Sequence, residues 1–151
     1  MISQADAHKG RVLASACAII EGKDHEVLLM YEGDMPYHKL WVLPGGYIKP
    51  NETIEQTVTR EFEEETGLKI TATQPIGVYN DFLTENGEPI NHIIIAYKAE
   101  VIGGRIIFSR EATAYKWLTL KDALKESDIP EVFKKILKDF YKTRKKRFSL
   151  G

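Results

Sequence analysis

The sequence has a single cysteine and no long apolar run, and both shortages restrict what the protein can be. Cys17 has no second cysteine to form an internal disulfide with, and its Ala and Ile neighbours favour a buried, inert thiol. The longest strongly apolar stretch, residues 12–20, is about half of what a membrane-spanning helix needs. The first residues also lack the apolar core of a secretory signal. We therefore expect a cytoplasmic protein with no membrane partner.

Histidine is also scarce, which argues against a zinc site. The four histidines, at positions 8, 25, 38 and 92, have no paired spacing typical of zinc ligands. With 151 residues, of which 43% are hydrophobic and 28% charged, the chain has the composition of one globular domain. A chain of this size buries about two-thirds of its surface on folding, so it needs neither disulfides nor a structural metal for stability. We predict a single domain over residues 1–151.

The formal net charge of −1 conceals an uneven distribution. The segment 134–147 carries eight Lys and Arg residues against one Asp, which leaves −8 on residues 1–133. A broad nucleic-acid footprint needs basic residues across a face of the domain, so the acidic body argues against nucleic acid as a partner. The basic tail at 142–151 contains the run KTRKKR, which is typical of a solvated terminus but leaves contact with RNA open.

Hydrophobic patterning predicts strands on both sides of a central helix. The apolar runs 12–21 and 27–31, separated by Gly22-Lys23-Asp24, predict a hairpin. The remaining elements are predicted as strands at 40–43, 91–101, 105–108 and 115–118, a mixed segment at 69–79, a loop at 80–90, and helices at 53–66, 120–126 and about 130–143. This order predicts an α/β fold with a mixed β-sheet between helices.

The helix predicted at 53–66 has recognisable signals at both ends. Thr53 and Gln56 have the spacing of a capping box, in which each side chain satisfies a backbone N–H of the other residue. Gly67 stands where a left-handed C-terminal cap occurs. The limits of this helix are therefore the best defined in the sequence.

Three carboxylates of this helix project from neighbouring positions. At about 100° per residue, Glu61 and Glu65 project within about 40° of each other, and Glu64 lies about 60° to the other side. Glu61 and Glu65 also continue the helix's apolar stripe, which consists of Ile54, Val58 and Phe62. Like charges on a partly buried face are costly, so a cation should neutralise them. Carboxylate oxygens suit a hard divalent cation, Mg²⁺ or Mn²⁺, which binds substrate phosphates as well.

The alternative is a solvated acidic helix face, which is the usual outcome for a run of glutamates. The shared apolar face argues against it, as does Arg60, which could form an ion pair with Glu52 at the helix entrance. Glu63 fits the alternative, because it points about 160° away from Glu65 and should be exposed.

Nine residues at fixed spacing between positions 46 and 68 resemble the Nudix box, G-x5-E-x7-R-E-U-x-E-E-x-G-U, where U is a bulky apolar residue. They are Gly46, Glu52, Arg60, Glu61, Phe62, Glu64, Glu65, Gly67 and Leu68. The segment Trp41–Gly45 precedes them, and the whole pattern is far more specific than a single glycine-rich loop. The order of elements from about residue 11 to 143 is also similar to the Nudix α/β/α sandwich.

The resemblance implies a Mg²⁺-dependent hydrolase, with Mn²⁺ as a possible substitute, that cleaves the pyrophosphate linkage of a nucleoside diphosphate joined to another group. It implies that the divalent ions are held by the Gly46 carbonyl and by the carboxylates of Glu61, Glu64 and Glu65. It also implies that Glu52 and Arg60 pair to hold the loop and the helix in place.

The base that takes the proton from the attacking water is left open. Glu61, Glu64 and Glu111 are the candidates, which complete the catalytic set with Arg60 and Glu52. Glu111 lies ahead of the strand at 115–118, where some related enzymes carry such a glutamate, and an ordinary surface role is its alternative.

The substrate-binding residues are less clearly indicated. Gly45 permits close approach to the backbone, Tyr79 could stack on a base, and His92 could face the phosphates. The alternatives are core packing for Tyr79 and a structural hydrogen bond for His92.

The resemblance leaves an ADP-ribose-like conjugate and a (d)NTP as comparable substrates, because the arrays typical of NADH and coenzyme A pyrophosphatases are absent. A non-catalytic nucleotide-sensing Nudix module and a capped-RNA pyrophosphohydrolase are the alternative functions. The expected partners are a small-molecule nucleotide and, at family level, a second copy in a homodimer.

Overall fold

The computed structural model describes residues 9–107 and 112–149. For residues 112, 113 and 144–149 it describes the backbone alone. Within these residues, seven strands form two sheets. The first sheet is mixed and has the order β4-β1-β6-β5, with β1 (Arg11–Ile19), β4 (Gly45–Tyr47), β5 (Leu68–Glu85) and β6 (Glu88–Gly104). Strand β1 is parallel to β6, and the other pairs are antiparallel. The second sheet is antiparallel, in the order β3-β2-β7, with β2 (Val27–Glu32), β3 (Trp41–Val42) and β7 (Ala112–Leu118).

The helices lie on both sides of the mixed sheet, as the sequence predicted. They are α1 (Ile54–Thr66), α2 (Leu120–Lys125) and α3 (Glu131–Ser149), and a short 3-10 helix covers Lys23–His25. Val58 and Phe62 of α1 are fully buried in one core, whose other members include Ala16 and Ala18 of β1. Ile136 and other apolar residues of α3 fill a second core with β2 and the opposite face of β1. In the part of the chain that the structure describes, no helix is both long and apolar enough to cross a membrane.

The predicted caps of α1 are confirmed. Gln56 donates its backbone N–H to the Thr53 hydroxyl over 3.1 Å, and Thr53 donates its own to the Gln56 side chain over 2.9 Å. Gly67 ends the helix with a φ of 81°, the left-handed conformation that favours glycine. These local signals hold α1 in register between the loop after β4 and the start of β5.

The predicted hairpin of residues 12–21 and 27–31 is wrong. Strands β1 and β2 belong to different sheets, and a single bridge between Glu21 and Val27 is their contact near the turn. All nine residues of β1 pair instead with β6, about 80 positions along the chain. An apolar strand that is buried on both faces can pair with distant strands, so the local turn between the two runs did not decide the pairing.

The predicted loop at 80–90 is also wrong, because β5 and β6 continue through it as a long hairpin. Asn80, Thr84 and other polar residues there occupy exposed positions of a strand. The turn lies at Asn86-Gly87, both with positive φ, and this dipeptide is a strong hairpin signal.

Two smaller predictions also change at the C-terminal half. Residues 105–107 form no strand, and Phe108 lies outside the described residues. The last helix extends beyond 143 to Ser149, so the backbone of most of the basic tail is helical. The capped-RNA hypothesis depends on the basic run 142–147, and its side chains from Arg144 onward are not among those that the structure describes.

Gly67→Ala should destabilise the protein more than Gly87→Ala does. Both glycines have positive φ, so a side chain costs about 1–2 kcal/mol at either position. A Cβ at Gly67 would also overlap the carbonyl oxygen of Arg105 and lie 2.6 Å from Ile107, whereas a Cβ at Gly87 meets nothing within 4 Å. Urea unfolding should show the larger loss for Gly67→Ala, and equal losses would contradict this account of the cap.

Candidate functional site

Helix α1 places its acidic residues against the two glycines at the start of β4. The Glu61 carboxyl lies so close to Gly46 that a Cβ there would overlap it. Gly45 donates its backbone N–H to Glu65 over 3.4 Å, and a Cβ at Gly45 would overlap the backbone of Ala16. Position 45 therefore requires glycine, whereas a side chain at position 46 would displace the Glu61 carboxyl. The backbone of β4 thus faces Glu61 and Glu65 directly.

Arg60 binds three of the surrounding carboxylates. Its guanidinium donates to both oxygens of Glu52, over 2.6 and 2.9 Å, which confirms the predicted ion pair. It also donates to Glu61 over 2.7 Å and to Glu64 over 3.2 Å. Hydrogen bonding with Arg60 lowers the pKa of Glu52 to about 2. Arg60 thus fixes the loop before α1 and supplies positive charge to the outer side of the cluster.

Glu65 is the costly member of the cluster. It is only 4% exposed, and the ion pairs of Arg60 do not include it. Burial raises its pKa well above the usual range, and the charge of Glu61 and a hydrogen bond with Glu61 raise it further. Ionised Glu65 therefore needs a cation at this position.

The expectation that three carboxylates converge is met only by Glu61 and Glu65. The Glu64 side chain is 53% exposed and points to Arg60, and Glu63 is exposed as predicted. Among the described residues, no three His, Cys, Asp or Glu side chains lie close enough together to hold a metal ion as they stand. The helical positions were predicted correctly, but Glu64 is exposed and reaches Glu61 only through Arg60, whose Nη1 donates to both carboxylates.

The donor chemistry at this place nevertheless fits a hard divalent cation. Glu61 and Glu65 supply carboxylate oxygens, and the backbone of Gly46 lies against Glu61 without an intervening side chain. Such all-oxygen sets suit Mg²⁺, which usually completes its shell with water and substrate phosphates. Two protein carboxylates can therefore be enough to bind Mg²⁺ when water and substrate phosphates supply its other ligands.

A cleft opens beside the two glycines. Its walls include Ser15 of β1, Glu32 of β2, Tyr37 from the loop before β3, and Tyr47 of β4. His92 also lines this cleft, but both of its ring nitrogens are engaged within the protein, with Ser15 over 2.7 Å and Tyr37 over 2.8 Å. Sequence reasoning missed Ser15, Glu32 and Tyr47; the one available signal was a polar Ser15 inside an apolar strand.

One predicted site residue, Tyr79, is not brought to this cleft by the structure. Tyr79 is buried and donates its hydroxyl to Asp139 of α3 over 2.8 Å, so it ties the helix to β5. This is the packing role that the sequence left as its alternative. Glu111 lies outside the described residues, and its role stays a prediction.

Comparison with known proteins shows which family and which relatives this chain is similar to. The NUDIX domain family matches residues 11–140. An ADP-ribose pyrophosphatase of Methanocaldococcus jannaschii is 31% identical over 144 residues, which cover 93% of this chain and 82% of that protein. The asymmetrical bis(5'-nucleosyl)-tetraphosphatase of Mus musculus is 30% identical, covering 71% of this chain and 73% of its own length. The crystal structure of the MutT protein from Methanosarcina mazei Go1 has a TM-score of 0.80 at 27% identity, covering 90% of this chain and 97% of that chain.

Glu52→Gln should weaken the protein near neutral pH but not in strong acid. Because the pKa of Glu52 is lowered in the folded state to about 2, its ionised form stabilises the fold above its ordinary pKa of about 4.3. That contribution is lost as the pH falls through about 2. In urea unfolding, the difference between wild type and Glu52→Gln should therefore shrink from pH 6 towards pH 2.

Glu63→Gln is the matched control, because Glu63 is an exposed glutamate of the same helix. Its unfolding free energy should follow that of the wild type at every pH. A Glu52→Gln difference that stays constant down to pH 2 would contradict the role assigned to the Arg60 ion pair.

Proposed function

This chain belongs to the Nudix hydrolase family, and on that premise we propose that it is a Mg²⁺-dependent enzyme that cleaves the pyrophosphate bond of a nucleoside diphosphate linked to another group. The observation that carries the proposal is the meeting of the Glu61 and Glu65 carboxylates with Gly45 and Gly46 beside the cleft. A nucleotide in the cleft would have its phosphates next to these carboxylates.

The metal would be held by Glu61, Glu65 and the Gly46 carbonyl, with Glu64 as the fourth group that the family pattern assigns. A bound Mg²⁺, or Mn²⁺ in its place, supplies charge neutralisation for the pyrophosphate oxygens and lowers the pKa of bound water. Arg60 and Glu52 then act as positioning residues, because they hold α1 against the loop that follows β4.

The proton of the attacking water goes to a carboxylate, and three residues are candidates for this role. Glu61 is largely buried beside Gly46, where a water between it and the phosphates is within reach. Glu64 is more exposed and closer to bulk water. Glu111 is the third candidate, on a part of the chain that the structure does not describe.

An ADP-ribose-like conjugate is the substrate we favour over a (d)NTP. The M. jannaschii relative, which matches 93% of this chain, is named for ADP-ribose. The name of the mouse relative keeps longer nucleoside polyphosphates as a second class to be tested.

Location and assembly complete the proposal. Burial raises the pKa of the Cys17 thiol to about 12, so this cysteine is unreactive and suits the reducing cytoplasm. A small-molecule nucleotide is the proposed partner, and a homodimer is expected at family level. Light scattering on the purified protein measures its mass and so tests the expected homodimer directly.

The proposed reaction is tested by incubating the protein with Mg²⁺ and a panel that contains ADP-ribose, dinucleoside polyphosphates and (d)NTPs. We expect release of a nucleoside monophosphate, fastest from ADP-ribose. If no compound of the panel yields a nucleoside monophosphate or pyrophosphate, the non-catalytic sensing module becomes the better assignment.

Glu65→Gln should remove both metal binding and turnover. Ligands that bind only the folded state raise its stability, so Mg²⁺ or Mn²⁺ should raise the melting temperature of the wild type but not that of Glu65→Gln. Turnover should fall at least about 100-fold, the upper end of what losing a metal-site partner costs. Glu63→Gln, on the exposed side of the same helix, should retain both. Intact turnover in Glu65→Gln would show that the cation is held elsewhere.

A further inference from the structure

A buried chain of hydrogen bonds leads from the cleft to strand β5. The Ser15 hydroxyl lies 2.7 Å from Nε2 of His92, and Nδ1 of His92 lies 2.8 Å from the Tyr37 hydroxyl. The Tyr37 hydroxyl donates to Oδ2 of Asp81 over 2.8 Å. Ser15, Tyr37 and His92 are all buried, while Asp81 does not line the cleft. The chain therefore connects a group inside the cleft to one outside it.

The direction of every proton in this chain follows from its end at Asp81. A carboxylate only accepts, so the single proton of the Tyr37 hydroxyl is committed to it. Tyr37 must then accept from His92, which places the His92 proton on Nδ1. Burial lowers the pKa of His92, against the opposing effect of the Asp81 charge, and thereby favours its neutral form. Neutral His92 protonated on Nδ1 accepts at Nε2, so Ser15 donates its proton there.

The consequence is that Ser15 faces the cleft as a hydrogen-bond acceptor. Its proton is used on His92, and its remaining lone pairs accept N–H or O–H groups. Glu32, on another wall of the cleft, also has only acceptor oxygens. The carboxylates of Glu61 and Glu65 lie beside the glycine end, so the cleft is a poor place for phosphate groups without a metal.

We propose that Ser15 selects the nucleoside end of the substrate by accepting a hydrogen bond from it, and that Asp81 sets this polarity through Tyr37 and His92. This selection rests on the proposed function. The group that the cleft would recognise is uncharged and carries N–H or O–H donors. Tyr47, a residue of the cleft wall that is 43% exposed, offers an aromatic ring on which such a group can stack. The donor is either an exocyclic amine of the base or a hydroxyl of the ribose.

The test measures equilibrium binding, in EDTA, of adenosine and two analogues that each lack one kind of donor; none of the three carries a phosphate. Purine riboside lacks the exocyclic amine, and 2',3'-dideoxyadenosine lacks both ribose hydroxyls. We expect the wild type to bind adenosine about tenfold more tightly than one of the two analogues, as is typical for loss of one hydrogen bond. The analogue that is discriminated against identifies the donor. Equal affinity for all three compounds would overturn the proposal.

Two variants separate selection from general weakening. Ser15→Ala should bind all three compounds with about the affinity that the wild type has for the disfavoured analogue. Asp81→Asn should reduce the preference without touching the cleft, because an amide can donate to Tyr37 and let the chain reverse, so that Ser15 becomes a donor. A Ser15→Ala variant that loses affinity equally for all three compounds would contradict the proposal.

Asp139→Asn is the matched control. Asp139 also accepts from a tyrosine, Tyr79, over 2.8 Å, but within the described part of the protein no chain of hydrogen bonds leads from this pair to the cleft. The Asp139→Asn variant should keep the wild-type preference among the three compounds. A loss of preference equal to that of Asp81→Asn would refute the role of the hydrogen-bond chain. The comparison within the wild type remains decisive if a variant does not fold. Because the assay needs no turnover, its failure is distinct from failure of the enzyme to hydrolyse the substrate panel.

Discussion

The site depends on two carboxyl groups that the fold holds together where water cannot separate them. Glu65 is buried at the end of the apolar face of α1, and Glu61 lies between it and the guanidinium of Arg60. The glycines at the start of β4 allow this approach, because a side chain at either would overlap the helix or β1. Folding therefore places two carboxyl groups where ionising both is costly, and a divalent cation would offset that cost.

The local parts of this arrangement could be predicted from the sequence, but the sheet pairing could not. The capping box at Thr53 and the glycine cap at Gly67 are contacts between residues a few positions apart, and both were predicted. Strand β1 reads as half of a local hairpin, yet it pairs with β6 about 80 residues away. Polar residues in the 80–90 segment were interpreted as a loop, although alternate exposure along a long hairpin accounts for them and Asn86-Gly87 marked its turn.

The candidate site shows the same division between local features, which the sequence predicts, and long-range contacts, which it does not. Helical geometry and the family pattern placed the glutamates of α1, but they could not show that Arg60 would bind both Glu61 and Glu64. The cleft was largely missed, because Ser15, Tyr37 and His92 come from β1, a loop and β6, and only the tertiary fold brings them into one hydrogen-bonded chain. The proposed recognition of the nucleoside therefore depends on long-range contacts, whereas the proposed metal site depends mainly on one helix.

The most direct measurement is a diffraction experiment on crystals soaked with Mn²⁺, using the anomalous signal of the metal. The account predicts a peak within coordination distance of the Glu61 and Glu65 carboxylates and of the Gly46 carbonyl oxygen. A peak at another place on the protein, or none at a Mn²⁺ concentration that supports turnover, would contradict it.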